Sequence, residues 1–239
     1  MNSSPSPALA RRREDQIFDR TGRVPRPSYA ALLRELRSLA AYHPAPPDVS
    51  DIPPGRGHVV LVVPAFLTSD FVSMPLRSFL ARCGYRAYGW NLGINWGPTP
   101  RILAGLRRRV DELSEIEGGP ISLIGVSLGG VLSRDVVYDR PDKVRRVITL
   151  VSPYRLPTAS AIAPLFRLCS LSHDSALNLD RLATPLPVPA RAILTHDDGI
   201  VAWQSCGEAD AIAVDGQHLT ICRNPQALRA LAENLADPR

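Results

Sequence analysis

A serine stands between small residues at the point where an apolar run ends. Residues 125–130 read Gly-Val-Ser-Leu-Gly-Gly, with the serine at position 127, and they follow the apolar residues 120–124. The segment after them has helical periodicity. A serine on a sharp strand-to-helix turn needs small neighbours, because the backbone there is strained and other chains pass close by. Such a turn presents the hydroxyl at the carboxyl end of a sheet, so Ser127 is a candidate nucleophile.

A serine hydroxyl is a poor nucleophile until a base takes its proton and a third group orients that base. Two later loops can supply these groups. The first follows the apolar run 190–195 and begins His196-Asp197-Asp198, and the second follows 211–215 and contains His218. Since each loop comes after a predicted strand, we expect both to lie at the same edge of a parallel sheet as Ser127.

Together these motifs resemble those of α/β-hydrolase fold proteins of the bacterial esterase and lipase-like kind, over roughly residues 57–236. In that family the acid loop commonly reads Asp-x-Ile-Val, as at 198–201, and the late histidine follows a glycine and precedes an apolar residue, as at 216–219. Residues 64–67, Pro-Ala-Phe-Leu, resemble the family's oxyanion turn, and the loop 91–98 resembles a segment of one subgroup.

The resemblance implies roles for particular residues. Ser127 would be the nucleophile, Asp198 the acid and His218 the base, while the backbone N–H groups of Phe66 and Leu128 would form the oxyanion hole. Two positions depart from the family pattern. Ala65 stands where glycine is usual, and Val126 stands where the subgroup often has an aromatic residue. These departures leave the size of the substrate open.

Other histidines and aspartates are alternatives for the base and the acid. Asp197 and Asp198 are adjacent, so only one can face the histidine from an extended loop; the motif register favours Asp198, and Asp197 suits a turn. Asp174 and Asp180 are weaker alternatives. His43 and His58 are predicted to be surface or structural residues. His196 belongs to the acid loop, and His173 is predicted to contact solvent or substrate.

Short apolar runs alternate with helical patterns from residue 58 onward, which is typical of parallel strands joined by crossover helices. The predicted fold class is α/β: a minimal α/β-hydrolase with a mostly parallel sheet of about six strands, helices on both faces and a short lid. Predicted strands are 59–63, 86–90, 121–124, 144–151, 191–195 and 212–215, and predicted helices lie near 73–83, 100–117, 128–139 and 224–236.

The predicted domain organisation has three parts: a flexible N-terminal arm at 1–26, an N-terminal helix and Pro-rich linker at 27–57, and the hydrolase domain at 58–239. An insertion at 152–189 is either a short lid over the nucleophile or a helix packed on the sheet edge. The N-terminal helix has an apolar stripe, which we expect to pack on the hydrolase domain; a dimer or membrane-surface contact is the alternative. The stripe comprises Leu32, Leu33, Leu36, Leu39 and Ala40.

Composition excludes several other classes. The chain has 239 residues, 45% of them hydrophobic and 21% charged, as in ordinary globular proteins. Its net charge of +5 comes almost wholly from arginine, and the basic run 107–109 is followed by acidic residues, so nucleic-acid binding is not predicted. The four cysteines are widely spaced and predicted to be reduced and buried, with no metal. No membrane span or secretory signal is recognisable, and a cytoplasmic location is expected.

These observations predict a serine hydrolase that cleaves carboxylic esters of small molecules through an acyl-enzyme, with no cofactor. An acyltransferase, a thioesterase or a perhydrolase would use the same three side chains and differ only in the acceptor. A non-catalytic binding protein on the same fold is the third hypothesis, since a fold does not fix a function. The sequence disfavours it, because all three candidate residues are present.

Overall fold

The computed structural model describes residues 27–155, 160–161, 177, 179–182, 184–207 and 210–237. The predicted N-terminal arm, 1–26, and most of the predicted lid, 152–189, therefore lie outside the described residues, as do His173, Asp174 and the side chain of Asp180.

Six strands form one sheet, in the order β2-β1-β3-β4-β5-β6, and every pairing is parallel. The central strands β1 and β3 are buried at every position. Such continuous apolar runs form when helices cover both faces of a parallel sheet. The strands are β1 (Val59–Val63), β2 (Arg86–Gly89), β3 (Ile121–Val126), β4 (Val144–Leu150), β5 (Ala190–Leu194) and β6 (Ile212–Ala213).

The described helices are α1 (Tyr29–Ala41), α2 (Met74–Arg82), α3 (Pro100–Glu117), α4 (Leu128–Asp139), α5 (Leu179–Leu182) and α6 (Pro225–Ala236). Short 3₁₀ segments occupy Pro141–Lys143, Trp203–Ser205 and His218–Arg223. Helices α2 and α6 pack on one face of the sheet, and α3 and α4 pack on the other. Thr99 and Asn224 begin α3 and α6 by accepting a hydrogen bond from an N–H of the first turn, with proline at the next position.

The sheet confirms the predicted fold class and its six strands. Two strand ends differ by two residues: β3 continues to Val126, and β6, predicted over 212–215, is observed only over Ile212–Ala213. This edge strand pairs with β5 alone, and the next residues turn toward α6. There the N–H of Asp215 donates to Gln226 Oε1 over 2.9 Å, so a side chain replaces the strand partner.

Helix α1 contradicts the prediction that its apolar stripe is packed. Leu33, Leu36 and Leu39 are 57%, 53% and 42% exposed, whereas Glu35 is 0% exposed. Leu32 alone of the predicted stripe packs against an apolar cluster, the one that includes Ile200. Beneath Glu35 lie three backbone N–H groups, those of Gly199, His218 and Leu219, which require an acceptor rather than an apolar side chain.

Three cysteines within the described residues, Cys83, Cys206 and Cys222, are free and buried, as predicted. Burial raises the pKa of each thiol, that of Cys222 to about 12, so these thiols stay neutral. Cys169 lies outside the described residues. Among the helices in the described part of the chain, none is both long and apolar enough to cross a membrane.

Candidate active site

Ser127 occupies a strained turn between β3 and α4. Its φ is 50° and its ψ is −120°, a conformation that residues other than glycine rarely adopt. The N–H of Ser127 donates to the carbonyl of Leu150 over 2.8 Å and so ties the turn to β4. The turn places the hydroxyl at the carboxyl end of the sheet, as the sequence predicts.

The glycines around Ser127 are required by close packing. A Cβ atom at Gly129 would lie 2.2 Å from the carbonyl oxygen of Val63 in β1, and one at Gly125 would lie 2.2 Å from the Cα of Gly130. A larger residue at either position would push α4 away from the sheet. The small residues in the motif therefore allow the strand and the helix to meet at Ser127.

Ser127, His218 and Asp198 form a continuous chain of hydrogen bonds. His218 Nε2 lies 3.0 Å from Ser127 Oγ, and His218 Nδ1 lies 2.7 Å from Asp198 Oδ2. All three side chains are buried. When Nδ1 carries the proton donated to Asp198, Nε2 is free to accept the proton of the serine hydroxyl. The arrangement can therefore activate an alcohol.

Asp198, and not its neighbour, faces the histidine. Its second oxygen, Oδ1, accepts hydrogen bonds from the N–H groups of Ile200 and Val201, each over 2.8 Å. Asp197 is exposed. His196 is also exposed, and its ring meets that of Trp203 edge-on at 4.7 Å between centroids. Of the adjacent candidates, the structure brings only Asp198 to His218.

Charges around His218 favour its protonated form. Burial opposes the imidazolium, but the negative charge of Asp198, the hydrogen bond to Asp198 and the negative charge of Glu35 outweigh burial and raise the pKa of His218. A raised pKa strengthens the imidazole as a base, because the charge gained with the proton is stabilised.

The predicted oxyanion turn, residues 64–67, follows β1 and is held by a buried asparagine. Asn95 Nδ2 donates to the carbonyl of Pro64 over 2.8 Å, and the N–H of Leu67 donates to the carbonyl of Asn95, also over 2.8 Å. Phe66, between these two contacts, is buried. Leu128 begins α4, and N–H groups of a first helical turn have no acceptor within the helix. Leu128 thus directly follows Ser127, and Phe66 lies on the turn after β1, the neighbour of β3 in the sheet.

Asn95 belongs to the loop 91–98, for which the sequence indicated only a resemblance and no role. It is 0% exposed, and its Oδ1 accepts from the N–H of Gly97 over 3.1 Å. The asparagine therefore bridges its own loop and the oxyanion turn. The Asn-x-Gly pair in the sequence was a possible signal, since asparagine often bonds to backbone two residues on.

Glu35 is the second contributor that the sequence did not reveal. It reaches from α1 to both loops of the site: Oε1 accepts from the N–H groups of Gly199 over 2.8 Å and of His218 over 2.9 Å, and Oε2 accepts from the N–H of Leu219 over 3.0 Å. No spacing rule connects positions that are 164 and 183 residues apart.

A second serine–histidine–carboxylate set lies at the opposite end of the strands, near the amino ends of β1 and β3. His58 Nε2 lies 2.9 Å from Ser122 Oγ, and His58 Nδ1 lies 2.8 Å from Glu117 Oε1. The other oxygen of Glu117, Oε2, pairs with Arg86. Ser122 is a fully buried residue within β3 and does not lie on a strand-to-helix turn. Burial lowers the pKa of His58 despite the nearby carboxylate. This set serves structure, in agreement with the prediction for His58.

The described residues contain no group of three or more His, Cys, Asp or Glu side chains positioned to hold a metal ion. The candidate site described above consists of Ser127, His218, Asp198 and backbone donors, with Glu35 and Asn95 bonded to its loops.

Several solved structures have the same fold. A lipase of Bacillus licheniformis in its mature form has a TM-score of 0.55 and 14% identity, covering 77% of this chain and 94% of that one. A metagenomic carboxyl esterase has a TM-score of 0.54 and 16% identity, covering 81% and 78%. An α/β-hydrolase enzyme from the metagenome of sediments from the lagoon of Mar Chica, Morocco, has a TM-score of 0.54 and 14% identity, covering 76% and 91%.

No protein-family model matches the sequence, and a search of curated proteins found no match. The structural likeness, at these low identities, establishes the fold: the chain has the α/β-hydrolase fold, as the motifs indicated.

Proposed function

We propose that this protein is a serine hydrolase that cleaves carboxylic esters through an acyl-enzyme. One observation carries the proposal: Ser127, on a strained turn at the carboxyl end of the sheet, is hydrogen-bonded to His218, which is hydrogen-bonded in turn to the buried Asp198. This geometry matches the roles of nucleophile, base and orienting acid.

The reaction would begin when Ser127 Oγ attacks the ester carbonyl carbon while His218 Nε2 accepts the hydroxyl proton. The resulting tetrahedral intermediate collapses when the bond to the alkoxy oxygen breaks, and that oxygen takes the proton from Nε2 and leaves as an alcohol. Water then attacks the acyl-enzyme, its proton passes to Nε2 and then to Ser127 Oγ, and the carboxylic acid is released.

Asp198 would hold the imidazole of His218 with Nδ1 protonated and stabilise the imidazolium that forms in each step. The N–H groups that bond to Asp198 Oδ1 keep this carboxylate from rotating. The developing oxyanion would be held by the backbone N–H groups of Phe66 and Leu128, each donor contributing about 3 kcal/mol to the transition state.

Apolar side chains on two loops support an ester with an apolar group. The oxyanion turn and the loop after β2 are joined by the hydrogen bond from Leu67 to Asn95. The segment 64–73 after β1 and the loop after β2 expose large apolar residues, which otherwise favour burial: Leu67, Phe71, Ile94 and Trp96. We propose that these side chains contact the acyl or alcohol part of the substrate.

Two serine variants test the proposal. Ser127→Ala should lower kcat for p-nitrophenyl butyrate by about 10,000-fold or more, and it should abolish labelling by a fluorophosphonate probe. Ser122→Ala is the matched control, because Ser122 is also hydrogen-bonded to a histidine that contacts a carboxylate, but it lies inside β3. It should retain activity and labelling. Retained activity in Ser127→Ala, or an equal loss in both folded variants, would contradict the proposal.

A further inference from the structure

Glu35 is a buried carboxylate whose partners are backbone donors of the site. It is 0% exposed, and in the part of the chain that the structure describes no arginine, lysine or histidine forms an ion pair with it. The hydrogen bonds from Gly199, His218 and Leu219 are therefore what compensates its charge. Hydrogen bonds to a charged acceptor are stronger than neutral ones, and a buried charge without them is costly.

The three donors belong to two different loops. Gly199 follows Asp198 on the loop after β5, whereas His218 and Leu219 lie on the loop after β6. Oε1 of Glu35 accepts from one donor of each loop, Gly199 and His218, so a single oxygen atom fixes the two backbones relative to each other.

Helix α1 is held close to the acid loop by more than these hydrogen bonds. A Cβ atom at Gly199 would lie 2.6 Å from the carbonyl oxygen of Ala31 and 2.7 Å from Glu35 Cγ. Gly199 is therefore the residue that permits the carboxylate to reach the loops. Ser28 begins α1 by accepting from the N–H of Ala31, which fixes the helix start about two turns before Glu35.

We infer that Glu35 is a positioning residue, which acts through the backbone to hold Asp198 and His218 at hydrogen-bonding distance. The inference rests on the proposed function for its catalytic meaning. Glu35 contacts no reacting atom: it bonds to the N–H groups beside the two side chains, and its charge also acts on the imidazole. A displacement of about 1 Å in such a site can cost about 100-fold in rate.

The charges that act on the His218 imidazole are those of Asp198, on the acid loop, and Glu35, on α1. Arg223, on the same 3₁₀ segment as His218, donates instead to the carbonyl of Leu39 over 3.3 Å. Cys206, near Asp198, is a neutral thiol because burial raises its pKa well above the ordinary value. Removing the charge of Glu35 should therefore lower the pKa of His218.

The first test is Glu35→Gln, which keeps the shape but removes the charge and places an amide N–H₂ against one of the N–H donors. We expect kcat for p-nitrophenyl butyrate to fall at least about 10-fold, with KM within about 2-fold of the wild-type value. The acid limb of the pH profile of kcat/KM should move to lower pH. Glu112→Gln is the control, since Glu112 is an exposed glutamate of α3, and it should behave as wild type.

The second test is Gly199→Ala, which should push α1, and Glu35 with it, away from the loops without changing the carboxylate itself. The matched control is Gly119→Ala, where an added Cβ meets nothing within 4 Å. Only Gly199→Ala should lower kcat and the rate of fluorophosphonate labelling. A folded Glu35→Gln protein with wild-type kcat and an unshifted pH profile would overturn the inference.

Hydrogen exchange on the wild-type protein gives a readout that needs neither a variant nor turnover. The amides of Gly199, His218 and Leu219 should exchange slowly, as bonded donors do. Exchange at the rate of unprotected loop amides would overturn the inference. If wild-type protein hydrolyses no ester, the proposed function fails, while the amide exchange and the pKa of His218 measured by NMR in Glu35→Gln still decide the role of Glu35.

Discussion

Two adjacent aspartates show how the surroundings of a residue determine its role. Asp198 is buried, bonds to His218 through one oxygen and accepts two backbone N–H groups through the other. Asp197, one position earlier, is exposed, and its backbone N–H donates to Thr195 Oγ1 over 3.3 Å. A turn at residues 196–197 thus leaves one carboxylate in solvent and the next one buried.

This contrast yields a direct comparison of two identical substitutions. Asp198→Asn should lower kcat by about 1,000- to 10,000-fold, because the amide no longer fixes the tautomer of His218 or stabilises its charge. Asp197→Asn should leave kcat close to the wild-type value, since its carboxylate lies outside the chain of hydrogen bonds. Steady-state kinetics on an activated ester measure both, and a larger loss in the Asp197 variant would reassign the acid.

The charge balance at His218 predicts the pH dependence of the reaction. Only neutral His218 can accept the serine proton, so kcat/KM should fall as the pH drops through the pKa of this residue. That pKa is raised above its ordinary value of 6.5, chiefly by Asp198 against the opposing effect of burial. The midpoint of the acid limb should therefore lie above about 6.5. Circular dichroism over the same pH range separates this effect from unfolding, and a midpoint below the ordinary value would contradict the prediction.

At the scale of elements, the bounds of strands and helices were predicted most accurately where burial follows from the hydropathy of one continuous segment. The run of β1 was predicted over its observed bounds, Val59–Val63, because every side chain of a central parallel strand is buried. The elbow at Ser127 was predictable for a similar local reason, since the glycines that its packing requires lie within three residues of it.

Helix α1 shows where that reasoning fails. Its apolar periodicity predicted a buried stripe, but the helix turns Glu35 inward, toward three N–H groups of the loops after β5 and β6. Backbone donors carry no signature in an amino-acid sequence, so hydropathy alone assigned the wrong face of the helix. The exposed Leu33 and Leu36 are the consequence.

At the scale of the whole molecule, strand order explains which site residues could be predicted to lie close together. Ser127, Asp198 and His218 each follow a strand of one parallel sheet, and the carboxyl ends of such strands share an edge. Their convergence was therefore predictable from chain order. Glu35 precedes the first strand and lies on no strand end, so its approach to the same edge depended on tertiary structure alone.

The dependence on α1 predicts the effect of two N-terminal truncations. A chain beginning at residue 42 retains Ser127, Asp198 and His218 but lacks Glu35, and we expect its kcat to fall at least about 100-fold. A chain beginning at residue 27 keeps Ser28, α1 and every site contact described above, so it should remain active. Ester hydrolysis and circular dichroism measure both. Full activity without α1 would show that the loops hold their spacing unaided.

The set formed by His58, Ser122 and Glu117 bears on how enzymes are recognised by shape. A search template built from three side chains and their separations would match this protein twice, once at each end of the parallel strands. The match at the amino ends has a structural role only. The backbone separates the two matches, because Ser127 has a φ of 50° and Ser122 is an ordinary strand residue. A template that also required a positive φ at the serine would retain the first match and discard the second.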